Sequence, residues 1–117
     1  MFRSVLRFAC LLSISLSVPW VQARPADCQL VVDGKTLMKG RCEFDASPDG
    51  SFRIEGATHI AHVMVEKPGV GSGDWSAKPD NRSSYKETGE LRRSGACWAN
   101  SSTRICAWGP GQGPKSK

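Results

Sequence analysis

Cys97-Trp98-Ala99-Asn100-Ser101-Ser102-Thr103-Arg104-Ile105-Cys106 reads as a β-hairpin closed by its own disulfide. With Ser101-Ser102 as a two-residue loop, Asn100 faces Thr103, Ala99 faces Arg104, Trp98 faces Ile105 and Cys97 faces Cys106. Counting outward from the loop, the first pair is hydrogen-bonded and the fourth is not. In a non-hydrogen-bonded antiparallel pair the Cα atoms approach to about 4.5 Å, inside the range a disulfide can bridge. The same register sets Trp98 against Ile105 on the opposite face, an aromatic and β-branched pair suited to a core. Ser-Ser is not among the favoured turn dipeptides.

Upstream, the chain keeps the same character. Leu30, Val31 and Val32 run into Asp33-Gly34, a strong hairpin turn, and residues 36–38 can return. Ser47-Pro48-Asp49-Gly50 marks a second turn after Cys42-Glu43-Phe44. Phe52 and Ile54 then alternate with Arg53 and Glu55, the period of a half-buried strand. The longest β run is 58–66, where Ala61, Val63 and Val65 take one face and Ile60, His62 and Met64 the other; apolar residues on both faces suggest a central strand. Short apolar runs divided by Gly, Pro, Ser, Asn and Asp, with no amphipathic helix beyond about one turn, give an all-β, mainly antiparallel fold. A small disulfide-stapled sandwich or barrel of roughly six to eight short strands is expected.

Residues 1–23 read as a signal peptide rather than as part of this fold. Arg3 and Arg7 form a positive start, 8–18 an apolar stretch, and Val21-Gln22-Ala23 a cleavage site with small residues at its −3 and −1 positions. Crossing a bilayer takes about 20 apolar residues, and this run is much shorter. No membrane insertion is expected after cleavage. The domain would then span 24–108, with 67–90 as a long loop segment and 109–117 as a disordered tail. Cleavage also removes Cys10, leaving Cys28, Cys42, Cys97 and Cys106. An even set in a short exported chain is a disulfide framework and points to a secreted or periplasmic location. With Cys97 and Cys106 paired by register, Cys28 pairs with Cys42 and ties the first hairpin.

Charge and motifs exclude more than they assign. Losing Arg3 and Arg7 lowers the formal net charge from +5 to +3, spread along the chain, too little to argue for nucleic acid. His59 and His62 lie three apart, which on a strand puts them on opposite faces, and a zinc site needs three or four converging ligands. The cysteines lack zinc-ligand spacing. No nucleophile elbow or readable Ser-His-Asp order is present, so neither catalytic residues nor a cofactor or metal is expected, and the protein is not read as an enzyme. Binding is assigned to the 67–90 segment and adjoining arginines: Trp75, Tyr85, Arg92, Arg93 and Arg104. Aromatics on a long loop are typical contact residues, and arginine beside an aromatic suits carboxylates, phosphates or sugars.

Gly89-Glu90-Leu91, then Ser94-Gly95-Ala96-Cys97-Trp98-Ala99-Asn100, then Arg104-Ile105-Cys106-Ala107-Trp108, resembles small exported bacterial proteins of unassigned function. Cys28, Val32-Asp33-Gly34-Lys35, Cys42 and Asp49-Gly50-Ser51-Phe52 are similar in the same way. The plan of a signal peptide and a small disulfide-held β domain also loosely resembles the periplasmic lysozyme inhibitors, although their Ser-Gly-x-x-Tyr type loop is missing. Composition, motifs and resemblance imply an exported, non-catalytic binding or inhibitor-like protein, its partner a protein or glycan of the cell envelope. The alternatives are an envelope polyanion- or glycan-binding protein, or a small hydrolase with an unmarked site.

Overall fold

A computed structural model describes residues 23–78 and 84–114. The expected export segment therefore lies outside the described residues, apart from Ala23. Eight antiparallel strands follow one another around a closed barrel: β1 (Arg24–Val32), β2 (Lys35–Ala46), β3 (Phe52–Glu55), β4 (His59–Lys67), β5 (Val70–Ala77), β6 (Lys86–Ser94), β7 (Cys97–Ala99) and β8 (Thr103–Trp108). Each pairs with its neighbour in sequence, and β1 closes the ring on β8, Leu30 opposite Ile105.

Alternation along the strands sorts the side chains. Leu30, Ile54, Ala61, Val63, Leu91 and Ile105 point inward and are at most 1% exposed. Outward positions carry Lys39, Arg41, Glu43, Arg53 and Glu55. An apolar interior under a charged wall is the reverse of a transmembrane barrel, whose apolar band faces lipid. Met38 and Trp98 complete the core from opposite ends.

Both disulfides are formed. Cys97 stands directly opposite Cys106 with Cα atoms 4.0 Å apart, and Trp98 opposite Ile105, as the hairpin register requires. Cys28 and Cys42 are bonded diagonally, since Cys28 faces Gly40 and Cys42 faces Ala26; both sulfurs lie inside the barrel. Asp33 and Gly34 adopt φ of 52° and 81°, the left-handed pair of a type I′ turn. The disfavoured Ser101-Ser102 loop is made by Asn100. Its Oδ1 accepts from the Ser102 and Thr103 backbone N–H groups at 2.9 and 2.8 Å, while its Nδ2 donates to the Thr88 and Glu90 carbonyls at 2.8 and 3.1 Å. One side chain shapes the turn and ties it to β6. Asn100→Ala is expected to lower stability by about 1–2 kcal/mol, the summed net loss of several local hydrogen bonds. Denaturant titration of the variant beside Ser101→Ala, which should be near neutral, would check it.

Two expectations are corrected. Residues 67–90 are not one long loop: they hold the end of β4, all of β5 and half of β6. The reason lies on the inward face of β5, where Gly71 and Gly73 occupy positions that hydrophobic residues would normally mark. A Cβ at Gly73 would sit 2.6 Å from the His62 carbonyl oxygen and 3.1 Å from Leu91 Cδ1; one at Gly71 would collide with the Met64 carbonyl. Glycine is the residue that fits, and it hides the strand's period. Nor is the tail disordered throughout. Within 109–114, the Gly111 and Gly113 N–H groups both donate to Asp27 Oδ2 at 3.1 Å, and Gln112 N–H donates to the Gly109 carbonyl. Residues 115–117 lie outside the described part.

Candidate functional site at the open end of the barrel

The two ends of the barrel are finished differently. At the end holding the 33–34 and 100–102 turns, Trp75, Leu37 and Met38 pack onto the core. At the other end, where β1 starts and β8 finishes, the interior opens into a cavity of about 310 Å³. Phe44, Phe52, Val65, Trp98 and Ala107 line it, with Arg93, Asp49 and Pro68 at the rim. Phe44 and Phe52 lie on neighbouring strands with ring centroids 5.3 Å apart. A second hollow of about 290 Å³ shares Phe44 and Ala107 and is walled by Arg24, Trp108 and the docked Gly109-Pro110. Barrel mouths lined by aromatics with a few polar groups are common ligand sites, and these volumes lie at the small end of that range.

Electrostatics at the rim are simple. Arg93 faces Trp98 across the β6–β7 pair, on the inward register. Its backbone N–H donates to the Gly69 carbonyl at 3.0 Å and its Nε to the Gly95 carbonyl at 3.1 Å, so the turns on either side hold it. Asp49 accepts the Ser51 backbone N–H at 2.9 Å, which, with the Ser51 side chain, holds its carboxyl below the ordinary carboxylate range.

Of the five residues assigned to binding from sequence, only Arg93 reaches this mouth. Trp75 is corrected from a loop contact to a plug: it is half-buried on the inward face of β5, its ring 6.0 Å from that of His59 and 5.8 Å from Lys86 Nζ. Tyr85 lies on the outer wall with its ring 5.6 Å from His62. Arg92 and Arg104 flank Ala99 in one cross-strand row on the outside. Arg92 is paired with Glu90 at 2.9 Å, and Arg104 lies 3.7 Å from Cys97 Sγ. The expected cluster of three arginines is thus a pair on the wall and one at the mouth, because consecutive strand residues face opposite ways.

That wall also carries a row of charges invisible in the sequence. Asp45, Arg53, His62, Asp74 and Glu87 are successive cross-strand partners from β2 to β6. His62 Nδ1 and Asp74 Oδ1 are 2.7 Å apart. Arg53 bonds Glu55 at 2.9 Å rather than Asp45, and Lys78 meets Glu55 from the other side at 2.7 Å. The Lys78 hydrogen bond, then Arg53, outweighs burial and holds the Glu55 carboxyl below its ordinary range. His59 sits on the inward register and His62 on the outward one, with Thr58 Oγ1 at 2.8 Å from His59 Nδ1. Sequence reasoning placed Phe52 in the core and passed over Phe44 as a lining residue; both become visible once the end of the barrel is known.

No protein-family model, no curated protein and no solved structure matches this chain. The site must therefore be read from its own chemistry.

Proposed function

We propose that the protein is an exported, non-catalytic binding protein of the cell envelope, inhibitor-like in acting by occupancy. Its partner presents an apolar group beside an acidic one to the open end of the barrel. The observation that carries this reading is the mouth where β1 starts and β8 finishes, an aromatic-lined cavity with Arg93 at its rim. The apolar body would lie against Phe44, Phe52 and Trp98, and the acid would pair with Arg93. Arginine suits a carboxylate or phosphate because its planar fork can make two parallel hydrogen bonds. Two disulfides in so small a domain support an oxidising location, secreted or periplasmic, and agree with a signal peptide at 1–23.

Octanoate tests the chemistry. Trp98 lines the cavity, so its fluorescence should change on titration. Octanol, without the acid, should bind at least tenfold more weakly, and Arg93→Gln should reduce octanoate to the level of octanol. Equal binding of acid and alcohol, or an unaffected Arg93→Gln variant, would remove the rim arginine from the site. The row shared by Arg92 and Arg104 supports a second reading, contact with an anionic envelope polymer, which would weaken steeply as ionic strength rises.

A further inference from the structure

The charged row on the wall borders a further concavity, which shares only Phe52 with the mouth. It has a volume of about 430 Å³ and lies against β2, β3 and β4, with Ala46, Phe52, Val63 and Met64 as apolar lining and Asp45, Arg53 and His62, with two serines, as polar lining. Met64 at its edge is 41% exposed, the one large hydrophobic side chain so exposed among the described residues. Asp45 Oδ1 is buried and has no hydrogen-bond partner. A carboxylate oxygen in that position is costly unless a donor meets it, and such an exception in a native fold calls for a reason.

The neighbours that could supply the donor are committed elsewhere. Arg53 stands directly opposite Asp45, within easy reach for a cross-strand ion pair, yet its guanidinium is turned to Glu55. His62, next in the row, is held by Asp74. Both side chains in the lining are therefore engaged by other carboxylates, and Asp45 Oδ1 is left without a donor from the protein. Around it the row carries Asp74 and Glu87 as well, an acidic strip on a chain whose net charge is +5. An apolar hollow with a carboxylate oxygen that meets no donor complements a cation on an aliphatic stem, which packs its methylenes while its head meets the acid.

We propose that this wall concavity is a docking site for a lysine or arginine side chain of a partner polypeptide, with its aliphatic stem against Met64 and Val63 and its cationic head on the Asp45 carboxylate. A protruding side chain is the suitable occupant because the hollow lies on the lateral wall and opens to solvent beside Met64. Rotation about the Asp45 Cβ–Cγ bond exchanges its two oxygens, so a cation reaching either one compensates the whole group. The proposal stands apart from the mouth, and either can fail without the other.

Titration of the isotope-labelled, oxidised protein with Nα-acetyl-argininamide, followed by amide NMR, tests it. Shifts are expected at residues 45–47, 51–53 and 62–64, with the citrulline analogue, of the same shape and no charge, binding at least tenfold more weakly. Asp45→Asn should lose the same tenfold while unfolding at a temperature equal to or above that of the parent. Relief of stability on losing function marks a group kept for binding rather than for folding. Equal binding of arginine and citrulline compounds, shifts confined to other walls, or unchanged affinity in Asp45→Asn would each overturn the site. Tighter binding of butylguanidinium than of the argininamide would overturn the assignment to a polypeptide. The citrulline comparison uses the unaltered chain, so it decides the matter even if the variant does not fold.

Discussion

Replacing Trp75 with alanine is expected to destabilise the domain by about 3 kcal/mol, the lower part of the range for truncating a packed Trp, because the ring is only half-buried. The side chain packs at the end of the barrel opposite the mouth, against the core and the His59 ring. Its loss would leave a hollow there and admit water to the interior. For a domain of this size the midpoint of thermal unfolding should fall by roughly 12–24 °C. Trp75→Phe should recover more than half of that. A midpoint within a few degrees of the parent would mean that the ring acts as a surface contact, as the sequence first suggested. Tyr85→Ala, on the outer wall, should cost much less.

Removing the core disulfide should have an effect of similar size. Cys28 and Cys42 close a loop with a sequence separation of 14. In the chain-entropy account, a loop of about 15 residues contributes about 3 kcal/mol. Both half-cystines are buried, at 1% and 4% exposure, so the paired change to alanine also removes interior sulfur. Paired substitution of Cys97 and Cys106, whose separation is 9, closes a shorter loop and should cost somewhat less. Thermal unfolding of the two double variants gives the order directly. Equal, small shifts for both would show that the barrel holds without its staples.

The parts of this fold that were legible in the sequence are those where two constraints met at one register. Cys97 facing Cys106 and Trp98 facing Ile105 demand the same hairpin, and Asp33-Gly34 demands its turn type. β5 escaped notice because its inward positions before Trp75 are glycines, Gly71 and Gly73, forced by the His62 and Met64 carbonyls of β4 and by Leu91 of the adjoining β6. Periodicity reports a strand only when the buried face carries apolar side chains. The site was harder still. Arg93 was named together with Arg92 and Arg104, but it points to the opposite face from both; Asp45, Arg53, His62 and Asp74 become a row only after three strand registers are set. Phe44 and Phe52 belong to the mouth because their strands end there, a fact of topology that local sequence does not contain.

Closure of β1 onto β8 has a consequence in time. Every other pairing joins strands that adjoin in sequence and can form as local hairpins, whereas the seam joins the first strand of the barrel to the last. Loop closure over that span is the most demanding step entropically, so the ring should seal late. Until it does, Leu30 and Ile105, both fully buried in the finished barrel, lack each other as partners and leave apolar surface open to water. The Cys28–Cys42 bond spans only β1 and β2 and can form before the seam exists, holding the first strand in register with its neighbour. The staple of the leading hairpin can thus be in place before the trailing hairpin, closed by Cys97 and Cys106, has formed.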